Sequence, residues 1–137
     1  MLERWVTLTL IVMLFFAAGS FFGKVALLRD TSPRVYFFEA IGTLTVFTTF
    51  VLFNREKIFP NFSVNYFGLL MGLTWGIGTI LFIYVLKIGK ISVILPLTAL
   101  YPGITVLLAV VFLKETLGPR EIAGIVLALF SGMLLAR

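Results

Sequence analysis

Two charged side chains fall inside apolar stretches of the chain, where charge is costly and usually serves a function. Glu39 lies in the second apolar stretch, and Lys24 lies near the end of the first. Both are close to the same predicted membrane face, so they can form an ion pair, and such a carboxylate can also exchange a proton. The plainer interpretation is that Lys24 extends its ammonium group to the membrane surface while Glu39 pairs with it or with Arg34. Both interpretations stay open.

A second group of side chains combines hydroxyl groups, aromatic rings and proline in the third and fourth apolar stretches. A proline frees a backbone carbonyl and kinks a helix, and irregular backbone at membrane depth lines cavities in transporters. Pro96 and Pro102 both fall in the fourth stretch. We predict a substrate pocket between the third and fourth helices, lined by Trp75, Thr79, Tyr84, Pro96, Thr98, Tyr101 and Thr105. Ordinary bundle packing with interfacial aromatic residues accounts for the same residues equally well.

Several kinds of chemistry are excluded by residue types that the chain lacks. There is no cysteine and no histidine, which removes thiol chemistry and nearly all zinc and haem sites. No two carboxylates share an apolar stretch. We therefore predict no catalytic site, no metal and no cofactor, and hence no enzyme. The net charge of +5 comes from scattered lysines and arginines rather than a basic stripe, so a nucleic-acid partner is not expected.

Composition predicts that these residues sit in membrane-spanning helices. Hydrophobic residues make up 61% of the 137 residues and charged residues 12%, against about 45–50% and about 25% in soluble domains. Five runs fit or approach the length of about 17–25 residues that a spanning helix needs. They cover residues 5–28, 35–53, 66–86, 91–113 and 122–136. We predict an all-α integral membrane protein, a five-helix bundle that forms one domain over residues 1–137, in contact with the lipid bilayer.

Small residues recur every fourth position on the fifth predicted helix, at Gly124, Ala128 and Gly132. This spacing places them on one face, where another helix backbone can approach closely. Packing inside one bundle explains the pattern. The alternative is that this face forms the seam of a homodimer, because a terminal helix can project outward.

Positive charge is nearly balanced between the two ends of the predicted spans. The N-terminal side carries Arg4, Arg55, Lys57, Lys114 and Arg120, and the other side carries Lys24, Arg29, Arg34, Lys87, Lys90 and Arg137. Membrane orientation follows the bias of lysine and arginine between the two sides, so neither orientation is strongly preferred. We therefore expect a dual-topology, antiparallel homodimer, in which two copies recreate an inverted repeat.

Over essentially its whole length, and most specifically from Ile80 onward, the chain resembles the EamA domain of the drug/metabolite transporter superfamily, in particular its small single-domain members. The resemblance rests on the segment Pro96–Pro102, on Phe112-Leu113-Lys114-Glu115, and on Gly124 and Gly132, while Gly23-Lys24 resembles a lysine near the end of the family's first helix. It implies a five-helix half of a ten-helix transporter built from inverted repeats, with Pro96 at a kink near the substrate cavity and Glu115 at the end of helix four. Many members have an arginine near the start of helix two. Glu39 stands there instead, which favours a cationic or proton-linked substrate.

The resemblance implies a secondary transporter of small metabolites or drugs that works by alternating access. We expect it in the cell membrane, such as a bacterial-type inner membrane, as a multi-pass protein. Its partner is a second copy or a different second half. Two other functions remain open: a non-transporting scaffold or accessory subunit of a larger complex, and a flippase for lipid-linked headgroups.

Overall fold

Helices form every regular element in the part of the chain that the computed structural model describes, residues 4–60 and 63–135. They follow in chain order as α1 (Arg4–Arg29), α2 (Ser32–Ile58), α3 (Tyr66–Ile88), α4 (Ile91–Thr98), α5 (Tyr101–Leu108), a π-helical turn (Ala109–Leu113) and α6 (Pro119–Leu135). The all-α prediction is therefore confirmed for these residues. The helices extend beyond several of the predicted runs. In α2 the extension follows a kink at Asn54 (φ −116°, ψ 16°), one residue after the predicted run ends.

Four segments among the described residues are long and apolar enough to cross a membrane: α1, α2, α3 and the run Ile91–Leu113. The predicted fifth span corresponds to α6, which has 17 residues. That length lies at the short end of the window of about 17–25 residues for a spanning helix. The predicted run also extends to residue 136, outside the described residues. A fifth span therefore stays a prediction.

Large apolar side chains cover the outside of these helices. Phe53 and Phe67, for example, expose 85% and 86% of their surface. In water such continuous apolar surface drives association, whereas lipid tails cover it without cost because they are as apolar as the side chains. The exposure pattern and the helix lengths together indicate a multi-pass membrane protein.

The chain forms two compact units, Met1–Ile88 and Gly89–Arg137. In the first unit, α1, α2 and α3 contact one another. Its buried residues all lie at one end, where α1 and α3 finish and α2 begins; they are Leu27, Ser32, Val35, Ile83 and Leu86. The short connection Asp30–Thr31 makes α2 antiparallel to α1, and Pro33 is tolerated in the first turn of α2 because its missing N–H would have no helical acceptor there.

Two lysines join α1 and α3 at this buried end in a reciprocal arrangement, which we call the lysine clasp. Lys24 Nζ, on α1, donates to Leu86 O at 2.6 Å. Lys87 Nζ, on α3, donates to Leu27 O at 2.6 Å and to Asp30 O at 2.9 Å. Helix C-termini carry carbonyls without helical donors and a partial negative charge. Each lysine therefore caps the end of the other helix.

Removing either clasp lysine is expected to destabilise the first unit. We expect Lys24→Met and Lys87→Met each to lower the free energy of unfolding by about 1 kcal/mol, because each removes charge-assisted hydrogen bonds to helix-end carbonyls. Thermal unfolding of the purified protein in detergent measures the loss. Lys90→Met is the control, since Lys90 precedes α4 and its side chain makes no capping bond. An equal loss in all three variants would contradict the clasp.

In the second unit, the run Ile91–Leu113 is interrupted at Ala99 and Leu100, between α4 and α5. Leu100 N donates to Leu97 O and Gly103 N to Leu100 O, so bonds to the third residue replace the α-helical ones. Pro96 and Pro102 have no N–H, which leaves the carbonyls of Ser92 and Thr98 without their helical donors. The interruption lies beyond Pro96, where a turn with right-handed dihedral angles at Ala99 and Leu100 joins α4 to α5. A kink at Pro96 itself stays a prediction.

The same run ends in a π-helical turn, and Lys114 follows it in the left-handed conformation with φ 55°. Glu115 lies beyond this turn, as the resemblance implied, and its N–H donates to Ala109 O. The next helix begins with a side-chain cap, in which Gly118 N donates to Glu121 Oε2 at 2.5 Å. Glycine followed three residues later by glutamate gives one half of a capping box, which fixes the start of α6.

Helix α6 packs against α4 and α5 through glycine. A Cβ atom at Gly103 would lie 2.7 Å from Leu129 Cδ2, and one at Gly132 would overlap the side chain of Leu100. Gly132 is buried within this unit, so its role in helix packing is the one the structure displays. Gly124 has nothing within 4 Å of such an atom, and Ala128 is exposed. A dimer seam at these two positions stays a prediction.

Candidate functional site

Trp75 and Thr79 lie one turn apart on α3 and share a face. Thr79 Oγ1 donates to Trp75 O at 2.9 Å, and the Trp75 ring lies 6.4 Å from the Phe16 ring of α1, centroid to centroid. Tyr84 is nine residues beyond Trp75, which turns it by about 180° around the helix axis. One face of α3 therefore cannot present all three predicted pocket residues, and Tyr84 is separated from the other two.

The other predicted pocket residues surround the break in the second unit. Pro96 lies inside α4, and Thr98 is its last residue, with Oγ1 donating to Ile94 O at 2.6 Å. Tyr101 begins α5 and is half exposed, and Thr105 Oγ1 donates to Tyr101 O at 3.3 Å. Thr98 and Tyr101 lie on either side of a turn with bonds to the third residue, in which residues three apart share a side. The predicted pocket that combines helices three and four stays a prediction.

Glu39 and Lys24 each have a hydrogen-bond partner in the first unit. Thr43 Oγ1 donates to Glu39 Oε1 at 3.1 Å, and Lys24 takes part in the lysine clasp. Arg34, the other proposed partner of Glu39, lies 3.3 Å from Asp30 Oδ2 through its Nε. The ion pair between Lys24 and Glu39 stays a prediction.

Sequence reasoning missed two hydroxyl residues in the first unit, Ser20 and Thr43. Ser20 lies on α1 and is partly buried, with Oγ donating to Phe16 O at 2.8 Å. Thr43 lies one turn from Glu39 and bonds to it. Spacing alone gives a weak signal for Ser20, because a serine in an apolar run bonds to its own helix equally well in any position. The decisive information is which face of each helix is buried.

A comparison with protein families matches almost the whole chain. The model of the EamA-like transporter family matches residues 3–137. The chain belongs to this family. The resemblance seen in the sequence is therefore confirmed, and the family places the protein among membrane transporters of the drug/metabolite type.

The EamA-like protein is also similar to an uncharacterized protein of Methanocaldococcus jannaschii. The two are 28% identical over 135 residues, which cover 98% of each chain. The relative is described as uncharacterized, so the similarity adds nothing on substrate. No solved structure matches the chain.

Membership of the EamA-like family is consistent with a protein that is not an enzyme. Within the described residues, no group of three or more Asp, Glu, Cys or His side chains could hold a metal ion. The chemistry available to the site is therefore hydrogen bonding, one carboxylate and aromatic faces.

Proposed function

We propose that the protein is a secondary transporter that moves small metabolites or drugs by alternating access. One observation carries this proposal: the helix break at Ala99–Leu100 lies near the middle of a run of membrane-spanning length. Backbone groups in lipid must be satisfied internally. At the break the backbone keeps right-handed dihedral angles, but bonds to the third residue replace the α-helical ones. Irregular backbone at membrane depth lines cavities in the discontinuous helices of transporters.

The proposed substrate contacts in the second unit are the hydroxyls of Thr98, Tyr101 and Thr105 beside this break. Tyr101 combines a ring with a hydroxyl at the first turn of α5 and is half exposed. The carbonyls of Ser92 and Thr98 lack helical donors and add acceptors. In the first unit, we propose Trp75 and Thr79 as contacts, since they share one face.

The working form that we propose has five spans per chain, with α6 as the fifth, and pairs two chains antiparallel in the cell membrane. Five spans leave the two termini on opposite sides. Two oppositely oriented copies then supply ten helices related by a twofold axis in the membrane plane, which is the arrangement of inverted-repeat transporters. The nearly equal charge on the two sides supports this form.

Tyr101→Ala tests the proposed contacts beside the break. Uptake of a panel of radiolabelled metabolites and drugs into proteoliposomes first identifies a transported compound. For that compound we expect the apparent KM to rise about tenfold in Tyr101→Ala, because losing a ring contact and a hydrogen bond costs on the order of 1–2 kcal/mol.

Tyr66→Ala is the matched control, because Tyr66 is an exposed tyrosine at the start of α3. It is expected to leave the KM unchanged, and size-exclusion chromatography checks that both variants assemble. Absence of flux for every compound of the panel would favour a scaffold function. An unchanged KM in Tyr101→Ala would remove Tyr101 from the site.

A further inference from the structure

Three helices of the first unit each carry a polar residue two helical turns away from the buried end. Ser20 lies seven residues before buried Leu27 on α1, Glu39 lies seven after buried Ser32 on α2, and Thr79 lies seven before buried Leu86 on α3. Seven residues make almost two full turns and about 10 Å of helix, so each polar residue lies on the face of its helix that carries the buried residue. Ser20 and Thr79 are partly buried there, and Glu39 is exposed. We call Ser20, Glu39 and Thr79 the polar layer.

A ring contact shows that α1 and α3 carry their polar-layer residues at the same depth. Phe16 and Trp75 touch across the two helices, with ring centroids 6.4 Å apart. Ser20 and Thr79 are each four residues beyond one of these rings, and the two helices run in the same direction. Both residues are partly buried, while most of their neighbours along the chain are exposed. The two hydroxyl groups therefore lie one turn closer to the buried end than the pair of rings.

The hydrogen bonds of the polar layer leave oxygen acceptors. Ser20 Oγ donates its proton to Phe16 O, and Thr79 Oγ1 donates to Trp75 O. Each hydroxyl has one proton and two lone pairs, so what remains on each oxygen is acceptor capacity. Glu39 Oε1 accepts one bond from Thr43, and a carboxylate accommodates about four. Hydroxyl oxygens and one carboxylate, bordered by two aromatic rings, match a cation that carries N–H donors.

We propose that the polar layer binds the primary or secondary ammonium group of an organic amine, with Phe16 and Trp75 beneath it against the carbon skeleton. The site rests on the proposed transport function and names its substrate class. Lys24 lies one turn beyond Ser20 on α1, but its Nζ donates to Leu86 O in the lysine clasp, about two turns along α3 from Thr79. An anionic substrate would meet acceptor oxygens and a carboxylate here, so it does not fit.

The binding experiment uses the full chain in lipid nanodiscs and isothermal titration calorimetry with three probes that share a phenyl ring. These are 2-phenylethylammonium, its N,N,N-trimethyl analogue without N–H donors, and 3-phenylpropionate as the anion. We expect the first to bind, the second to bind at least about tenfold more weakly, and the third not to bind, because charge-assisted hydrogen bonds supply the affinity. Equal binding of the first two probes, or no binding of the first, overturns the proposal.

Matched variants locate the site. Glu39→Gln is expected to weaken binding of 2-phenylethylammonium at least about tenfold, whereas Glu56→Gln, the same change near the other end of α2, leaves it unchanged. Thr79→Val is expected to weaken binding severalfold, and Thr45→Val is its control, because Thr45 makes the same intrahelical bond on another helix face. Ser20→Ala and Thr79→Val keep every charge, so they decide the question if Glu39→Gln does not fold. Equal weakening in variants and controls overturns the site.

Failure of this site and failure of the transport function give different results. Flux of some compound without ammonium binding at the polar layer overturns the site and leaves the transporter. Binding that Glu39→Gln abolishes, in a protein that moves no compound across liposomes, supports the site and overturns transport.

Discussion

Replacing Pro96 and Pro102 together by alanine is expected to abolish flux of every transported compound while stabilising the protein. Alanine restores the N–H groups that can donate to the carbonyls of Ser92 and Thr98. Proline in a helix interior costs about 3 kcal/mol relative to alanine, so α4 and α5 gain a strong preference to join. A continuous helix removes the open backbone that we propose as part of the binding site.

Two measurements separate this outcome from simple damage. Flux into proteoliposomes should fall to the level of protein-free vesicles, while the temperature of unfolding rises. Amide hydrogen exchange across residues 98–103 should slow, because a continuous helix protects those amides. A stabilised protein that has lost transport is the signature of a site that uses irregular backbone.

Pro33→Ala is the control for the two prolines. Pro33 lies in the first turn of α2, where a backbone N–H would have no acceptor within the helix. The substitution should therefore change neither flux nor hydrogen exchange near the break. If the double variant straightens, as judged by exchange, and still transports at the normal rate, the break has no part in transport.

The fold class follows from the sequence because the bilayer imposes a simple rule. Lipid offers no hydrogen bonds, so each long apolar run must form a helix, and α1, α2 and α3 match their predicted runs. The break in the fourth run was also predictable, since Pro96 and Pro102 cannot donate in any conformation. The π-helical turn at Ala109–Leu113 was not, because no residue type in that segment forces it.

The candidate site was only partly predictable, because helical spacing does not say which face is buried. The sequence predicted Thr98, Tyr101 and Thr105 from α-helical spacing, whereas the structure joins Thr98 to Tyr101 through a turn with bonds to the third residue. Ser20 enters the proposed polar layer only because the structure shows Leu27 buried two turns away on the same helix. Glu39 could be identified from the sequence because a charged residue in an apolar run is unusual whichever helix face is buried.

Packing in the second unit also narrows the surfaces available for a partner. The Leu100 side chain occupies the space beside Gly132, and the Leu129 side chain occupies the space beside Gly103. Both glycines therefore serve contacts within the unit. Gly124 and Ala128 remain open on α6. If a second copy packs against α6, its helix must therefore contact α6 near Gly124, toward the start of the helix.

A C-terminal tag is expected to react with impermeant reagents from both sides of the native membrane, in about equal amounts, if the protein inserts in both orientations. Orientation depends on where lysine and arginine lie near the ends of the spans, and the two sides carry five and six of these residues. Lys24 is half buried in the lysine clasp, which leaves the effective difference still smaller. In a variant held in one orientation, an N-terminal tag must react from the side opposite to the C-terminal tag if α6 is a fifth span.

Two added lysines on one side should then fix one orientation. Ser63→Lys with Val64→Lys adds charge to the connection between α2 and α3, on the N-terminal side. Thr31→Lys with Ile88→Lys adds it to the other side, at exposed positions. Each locked variant should assemble poorly with itself and lose essentially all flux, because every copy faces the same way and no inverted pair can form.

Coexpression of the two locked variants decides between an inverted pair and its alternatives. If the working unit needs one copy in each orientation, flux returns only when both are present, and each tag is then accessible from one side. A parallel dimer, or a chain that works alone, keeps its flux in whichever locked variant inserts correctly. A chain that needs a different second half gives no flux in either variant or in their mixture. In that case the wild type alone also gives no flux in liposomes. The pattern of rescue therefore tests the orientation and the partner in one experiment, and the accessibility of the two tags in a locked variant tests the fifth span.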